Sequence, residues 1–141
     1  MPKKRAGLAA VALGLLTACG GPMGPCVHSS EGGLVRVESA VNASTNLPIT
    51  SLRITNLSVN GAPPLGNEGN VNVRFDGQTL ICDVACRFGA NEGVYRFTVT
   101  APGFAPLGVE QDARYTEFRG GCPSSSSGSN VRLNLRLTPF P

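Results

Sequence analysis

Apolar and polar residues alternate along several short runs of this chain, and the clearest run lies near its C-terminal end. In residues 131–138 the apolar positions are Val131, Leu133, Leu135 and Leu137. Residues 34–39 and 93–100 alternate in the same way. Successive side chains of a β-strand point to opposite faces, so each run predicts a strand with one buried face. No segment has an apolar stripe at helical spacing, and we therefore expect an all-β domain.

Turn signals separate the predicted strands. An Asp76-Gly77 dipeptide lies between the runs 71–75 and 78–82 and predicts a hairpin. At residues 101–104, Pro102 and Gly103 stand where a type II turn requires proline and glycine. Strands and turns at this spacing predict a single Ig-like β-sandwich of about seven strands over residues 32–141.

The order of these motifs resembles the carboxypeptidase regulatory-like domains, a transthyretin-like β-sandwich module of many bacterial surface and exported proteins. The resemblance spans residues 32–138 and is carried by four segments: 34–37, 47–49, 93–104 and 131–137. Its distinctive part is the Gly-x-Tyr strand that starts at residue 93 and continues into the turn at 101–104. The resemblance implies a non-catalytic domain, since these domains have no catalytic residues of their own. Residues 82–87 and 123–129 depart from the family pattern, so the resemblance implies the fold but no shared binding surface.

The first residues have the layout of a bacterial lipoprotein signal peptide. A basic patch at residues 1–5 precedes an uncharged apolar run at 6–16, which is too short to remain as a membrane-spanning helix. The motif Leu16-Thr17-Ala18-Cys19 resembles the lipobox, in which the cysteine sulfur receives a diacylglycerol before cleavage. We therefore predict a signal peptide at residues 1–18, followed by a lipidated Cys19 and a flexible tether at residues 19–31.

The predicted lipid anchor indicates in which compartment the protein resides. One acyl chain binds a membrane only marginally, whereas a multiply acylated Cys19 would hold the protein there stably. Gly20, rather than an aspartate, follows the cysteine, which favours transfer to the outer membrane in bacteria that use this sorting rule. We expect a lipid-anchored protein of the cell envelope, on the periplasmic or surface face of the outer membrane.

Removal of the signal peptide changes the charge of the chain. The net charge of +3 includes Lys3, Lys4 and Arg5, and the nine arginines that remain balance the nine acidic residues. These arginines are spread along the chain rather than clustered in one stripe. A neutral mature chain gives no electrostatic basis for binding nucleic acid, and we expect no nucleic-acid partner.

Four cysteines remain besides the lipidated one: Cys26, Cys82, Cys86 and Cys122. Export places them in an oxidising compartment, so we expect two disulfides. Four cysteines allow three pairings, between which the sequence does not choose; we favour Cys82 with Cys86 and Cys26 with Cys122. The alternative is a metal site that combines Cys82, Cys86 and Cys122 with His28. Its cysteine spacing is unusual for zinc, and exported thiolates tend to oxidise, so we expect no metal and no cofactor.

Residues for enzymatic chemistry do not gather at one place in the sequence. A hydrolase needs a nucleophile beside a base, but the single histidine, His28, precedes the domain, while the serine run at residues 124–127 is typical of a flexible loop. Ion pairs with the nearby Arg114 and Arg119 explain three carboxylates: Glu110, Asp112 and Glu117. We therefore assign no catalytic residue and expect no enzyme.

The aromatic residues divide into core and surface candidates. Tyr95 and Phe97 share an apolar strand face with Val99 and are assigned to the core, whereas Tyr115 and Phe118 are candidates for a binding surface. The function that we expect first is a non-catalytic binding or protein-interaction module of the cell envelope. The alternatives are a sandwich that binds a glycan or small ligand, and an accessory domain of a separately encoded peptidase. Expected partners are the membrane, through Cys19, and an unidentified envelope protein or glycan.

Overall fold

The computed structural model describes residues 25–64 and 69–141, so the predicted signal peptide, the lipobox and Cys19 lie outside the described residues. The described chain contains ten strands: β1 (His28–Ser30), β2 (Val35–Asn42), β3 (Ser51–Val59), β4 (Val71–Asp76), β5 (Thr79–Phe88), β6 (Gly93–Thr100), β7 (Leu107–Ala113), β8 (Glu117–Arg119), β9 (Ser124–Ser127) and β10 (Val131–Leu137). No helix within these ranges is long and apolar enough to cross a membrane. The prediction of an all-β domain is confirmed.

The larger sheet contains seven strands in the order β10-β2-β5-β3-β6-β7, with β4 also paired to β5. Strand β5 belongs to both layers of the sandwich, since residues 80–83 pair with β3 and residues 86–88 pair with β2. The sheet therefore turns at β5 and folds into two layers around one core, which is the architecture of a β-sandwich.

The outer strands of this sheet, β7 and β10, are joined by hydrogen bonds at both ends of the sandwich. Near the end of β10, the amide of Ala105 donates to the carbonyl of Thr138 at 2.8 Å. Near its start, the amide of Asn130 donates to the carbonyl of Arg114 at 3.3 Å. The sandwich is therefore nearly closed, in the manner of a barrel.

The core lies between the two layers and contains the residues that alternation predicts. In β6 the side chains of Tyr95, Phe97 and Val99 are 0%, 3% and 0% exposed, which confirms their assignment to the core. The rings of Phe97 and Phe88 meet edge to face with their centroids 5.6 Å apart, an arrangement that aromatic pairs prefer. The apolar face of β10 is likewise turned inward, with Leu137 fully buried.

The turns also follow their sequence signals. The amide of Phe104 donates to the carbonyl of Ala101 at 3.1 Å, and Gly103 has φ 86°, as the third position of a type II turn requires. Asp76 pairs with Thr79 across the hairpin between β4 and β5, where Gly77 has φ 62°. Both turns were predicted from these glycines, whose lack of a Cβ permits a positive φ.

The serine run at residues 124–127 is strand β9, and its prediction as a flexible loop was wrong. Its backbone pairs with β1 on one side and β8 on the other, forming a separate three-stranded sheet in the order β1-β9-β8. Seven strands were predicted and ten are present in the described residues, and the three additional strands are those of this small sheet. Strand β1 also lies within the segment that we assigned to the tether.

The cysteines lie at disulfide distance in the two pairs that we favoured. The Cα atoms of Cys26 and Cys122 are 5.0 Å apart, and those of Cys82 and Cys86 are 5.7 Å apart, within the usual range for a disulfide. Cys82 and Cys86 are buried on either side of the turn in β5. Cys26 and Cys122 are exposed and join the two segments that lead into β1 and β9.

Candidate functional site

The three-stranded sheet brings together residues that are distant in the sequence. Strand β1 runs parallel to β9 with His28 opposite Ser124, and β8 runs antiparallel to β9 with Phe118 opposite Ser126. Paired residues of neighbouring strands share a face of the sheet, and alternate residues of one strand do so too. One face therefore carries five side chains, which we call the Phe118 face: His28, Ser30, Phe118, Ser124 and Ser126.

The imidazole of His28 is fixed by two serine hydroxyls. Its Nδ1 lies 2.9 Å from Ser124 Oγ, and its Nε2 lies 3.1 Å from Ser126 Oγ. In a neutral imidazole one nitrogen donates and the other accepts, and a serine hydroxyl can play either part. The ring stacks on Phe118 with centroids 6.0 Å apart and planes 24° apart, and Phe118 is 72% exposed. The result is a fixed aromatic pair surrounded by hydroxyl groups.

This arrangement places a hydroxyl nucleophile beside a base, which we had considered remote from each other. Ser126 Oγ and His28 Nε2 lie at the distance at which a base can activate a serine. The second imidazole nitrogen meets a serine hydroxyl rather than the carboxylate found in the serine hydrolase triad. Both residues lie near the surface, where water competes for the same hydrogen bonds. The geometry is therefore that of a surface contact with a weakly assisted serine.

The cysteine pairing was the sequence signal that could have revealed this site. His28 and Ser124 each lie two residues after a cysteine of the Cys26–Cys122 disulfide. A disulfide brings its two backbone segments to within about 6 Å, so the residues just beyond it become neighbours. Combining the favoured pairing with the serine run would have placed His28 beside these hydroxyls.

Tyr115, the other aromatic candidate for a binding surface, is half-buried against the core. Its hydroxyl donates to the carbonyl of Ala90 at 2.5 Å and accepts from the amide of Gly32 at 3.2 Å. Its own amide donates to the carboxylate of Glu92 at 2.9 Å. Tyr115 therefore fastens the small sheet to the sandwich, and of the two candidates Phe118 is the one that presents its ring to solvent.

The three carboxylates have partners that differ partly from those expected. Asp112 pairs with Arg114 at 2.9 Å, as predicted, but Glu110 pairs with Arg96 of the neighbouring strand at 3.0 Å. The hydrogen bond from Arg96, and then its charge, hold the pKa of Glu110 below its usual value. Glu117 accepts a hydrogen bond from Ser127 at 3.4 Å. Glu110 and Asp112 are thus bound in exposed ion pairs.

The metal site considered as an alternative does not form. Cys82 and Cys86 are bonded to each other and Cys122 to Cys26, so their sulfurs are not thiolate ligands. Within residues 25–64 and 69–141, no three histidine, cysteine or acidic side chains lie close enough together to hold a metal ion.

The opposite end of the sandwich presents a group of loops, which we call the distal loops: residues 43–47, 101–105 and 138–141. Strand β2 begins beside the small sheet, where Ser129 Oγ donates to the carbonyl of Leu34, and it ends at Asn42 among these loops. Eight residues of extended strand separate the two ends by roughly 25 Å. The distal loops expose Leu47 and Phe140, which are 64% and 59% accessible.

Comparison with protein-family models, with curated proteins and with solved structures finds no match to this chain. Its own geometry is therefore the basis for a functional proposal.

Proposed function

We propose that this protein is an exported lipoprotein, anchored through Cys19 in the outer membrane, whose β-sandwich is a non-catalytic interaction module of the cell envelope. The observation that carries the proposal is where exposed apolar side chains lie relative to the entry of the chain. Val27 and Phe118 are exposed at the end where the chain enters through the small sheet, and Leu47 and Phe140 are exposed on the distal loops at the other end. A domain held by one end is suited to present the opposite end to a partner.

The entry of the chain supports the anchored half of the proposal. The first strand, β1, is fastened by parallel pairing with β9 and by the Cys26–Cys122 disulfide. Cys26 lies seven positions after Cys19, and a chain of that length reaches at most about 25 Å when fully extended. A lipid on Cys19 would therefore hold the domain close to the membrane by the end that carries the small sheet.

The distal loops support the interaction half. The guanidinium of Arg136 donates to Asn46 at 2.8 Å and to the carbonyl of Ala43 at 3.1 Å, which ties the first loop to β10. The amide of Phe140 donates to the carbonyl of Gly103 at 3.0 Å, which ties the other two loops together. Leu47 and Phe140 are therefore exposed on loops that are already ordered. Binding of a partner to them would cost little conformational entropy.

The proposal includes membership of the carboxypeptidase regulatory-like domains. The β-sandwich fold supports it, as does the strand β6 that runs into the type II turn at Gly103. In that family the domain has no catalytic residues of its own, which agrees with a role in binding.

Photo-cross-linking in intact cells tests the interaction. A photoreactive amino acid replaces Leu47 or Phe140 on the distal loops, and Arg96, which is exposed in the middle of β6, serves as the control position. We expect a defined protein adduct from both distal positions and none from position 96. Absence of adducts at positions 47 and 140, in a protein that fractionates with the membrane, would contradict an interaction through these loops.

A fluorophosphonate probe tests the non-catalytic half, because it labels serines that a neighbouring base activates. Since Ser126 and His28 are in contact, the matched controls are Ser126→Ala and Ser125→Ala, the latter on the other face of β9. We expect the same background labelling in all three proteins. Labelling that disappears in Ser126→Ala and in His28→Gln but persists in Ser125→Ala would show an enzyme.

Glycan binding is the second candidate function, and the exposed ring of Phe118 on His28 favours it. A flat apolar ring bordered by hydroxyls can stack on one face of a sugar. The test is sedimentation of the soluble Cys19→Ser protein with purified peptidoglycan sacculi, beside Phe118→Ala and, as a control at another exposed ring, Phe140→Ala. Retention that only Phe118→Ala loses would support glycan binding, and equal retention of all three would remove it.

A further inference from the structure

We infer that the Phe118 face lies against the membrane that holds the lipid anchor, with the ring of Phe118 in the interfacial region. This inference rests on the proposed lipoprotein function and names the first partner of the domain as a lipid surface. Its consequence is orientation: with the small sheet on the membrane, the distal loops point away from it.

The position of the face relative to the anchor is the first argument. His28 lies nine residues after Cys19, and a chain of that length spans at most about 30 Å. The ring of Phe118 stacks directly on His28, with centroids 6.0 Å apart. The Phe118 face therefore lies at the end of the domain by which the chain enters, within reach of an anchor on Cys19.

The chemistry of the face is the second argument. It contains an aromatic ring, an imidazole and three serine hydroxyls, but no lysine, arginine, aspartate or glutamate. The charged residues of β8, Glu117 and Arg119, alternate to the other face of the sheet. A face without carboxylate, ammonium or guanidinium groups can approach lipid headgroups at a small desolvation cost, and its hydroxyls can keep hydrogen bonds to interfacial water. Phenylalanine, like tryptophan and leucine, occurs on the buried face of segments that lie in the membrane interface.

The strength of the contact explains why the anchor is required. A single phenylalanine ring binds a bilayer too weakly to hold a free protein there. Once Cys19 is anchored, the ring meets the surface as an intramolecular event at a high effective concentration, so a weak contact becomes populated. We therefore expect docking in the anchored protein and none in the same domain free in solution.

The lipid surface and a glycan compete as occupants of this face, and the position of the anchor favours the lipid. A sugar could stack on Phe118 wherever the domain were placed, whereas a membrane contact needs the face to lie beside the anchor. The chain enters at this end of the sandwich through Cys26 and β1, which meets that requirement.

The absence of tryptophan from the sequence provides a clean experiment, since one introduced indole reports alone. Phe118→Trp places the reporter on the face, and Phe140→Trp places it on the distal loops at similar exposure. Each protein is anchored to phosphatidylcholine vesicles in two ways: by its native lipid, or by coupling the cysteine at position 19 to a maleimide lipid. Far-UV circular dichroism checks that both variants keep the β-sheet.

We expect the indole at position 118 to shift its emission to the blue and to be quenched several-fold more by brominated phosphatidylcholine than the indole at position 140. The unanchored Phe118→Trp protein should show neither change. Equal responses at the two positions, or a response at position 118 that occurs with peptidoglycan sacculi and not with vesicles, would overturn the inference. Failure of the proposed lipoprotein function is distinguishable: Cys19 would then lack acyl chains in cells, while the maleimide-coupled protein would still report docking.

Discussion

Removal of the Cys26–Cys122 disulfide, by the double substitution Cys26→Ser and Cys122→Ser, should destabilise this domain strongly. Both cysteines are exposed, so the serine hydroxyls remain in water and the change reports the cross-link itself. The two residues are 96 positions apart. In the chain-entropy model a cross-link that closes a loop of roughly 100 residues stabilises the fold by about 4.7 kcal/mol. Since a domain of this size is stable by about 5–15 kcal/mol, the loss would consume much of the total.

The Cys82–Cys86 disulfide provides the comparison, because its cysteines are only 4 positions apart. The same model assigns its cross-link roughly 2 kcal/mol. Both of its sulfurs are buried, however, so Cys82→Ala with Cys86→Ala also removes packing from the core. We therefore expect the two double variants to lose similar amounts of stability but to loosen different parts of the structure.

The assay combines urea unfolding, followed by circular dichroism, with amide hydrogen exchange. Without the Cys26–Cys122 bond, exchange should accelerate in β1 and β9, while β3 and β6 continue to exchange through global unfolding. A loss of stability below about 1 kcal/mol, or unchanged exchange in β1 and β9, would refute the idea that this disulfide holds the small sheet and constrains the unfolded chain.

Further predictions concern single sites. Tyr95→Phe removes the hydroxyl that donates to the carbonyl of Asn91 at 2.6 Å and should cost about 1 kcal/mol in urea unfolding. Burial, and then Tyr115, raise the pKa of Tyr95 from 10.0 to about 12. The contribution of Tyr95 to stability should therefore be constant below pH 10 and decrease by roughly 3 kcal/mol at most as the pH rises to 12, a loss that Tyr95→Phe abolishes. Gly89 and Gly103 have φ 90° and 86°, but a Cβ on Gly89 would lie 2.6 Å from Tyr95 Oη, whereas a Cβ on Gly103 meets nothing within 4 Å. Gly89→Ala should thus lower the melting temperature clearly more than Gly103→Ala, and equal shifts would contradict the crowding. When the protein is reduced at increasing thiol concentrations, and the freed cysteines are alkylated and located by peptide mapping, the exposed Cys26–Cys122 bond should open before the buried Cys82–Cys86 bond. The reverse order would show that solvent exposure does not control the order of reduction.

The strands that the sequence predicts well are those whose two faces differ. Strands β6 and β10 each have one face in the core and one in solvent, so their alternation is visible in the residues themselves. The type II turn was equally accessible because Gly103 must adopt a positive φ that favours glycine.

The small sheet was not predictable from local patterns. A run of four serines has no alternation, and β9 is a strand because β1 and β8 supply its hydrogen-bond partners on both sides. Strand β5 was predicted over residues 78–82, but its continuation to Phe88 was missed. It belongs to both layers, so buried residues such as Ile81 and Cys82 follow one another instead of alternating.

The candidate site shows the same limit. Phe118 and Tyr115 are three residues apart and both aromatic, so the sequence does not distinguish their roles. Tyr115 is held against the sandwich by its contacts with Gly32 and Ala90, whereas Phe118 is exposed. His28 reaches Phe118 through a parallel pairing of segments 96 positions apart. Such a contact depends on topology, and of the features in the sequence the cysteine pairing alone pointed towards it.

Intact-mass analysis of the protein purified from host membranes, beside Cys19→Ser, tests the anchored-module proposal most directly. We expect a mature chain that lacks residues 1–18 and carries acyl chains on Cys19, with the other four cysteines oxidised, and we expect the substitution to abolish both acylation and membrane retention. An unacylated protein that still fractionates with the membrane, or an acylated one that retains residues 1–18, would contradict the proposal.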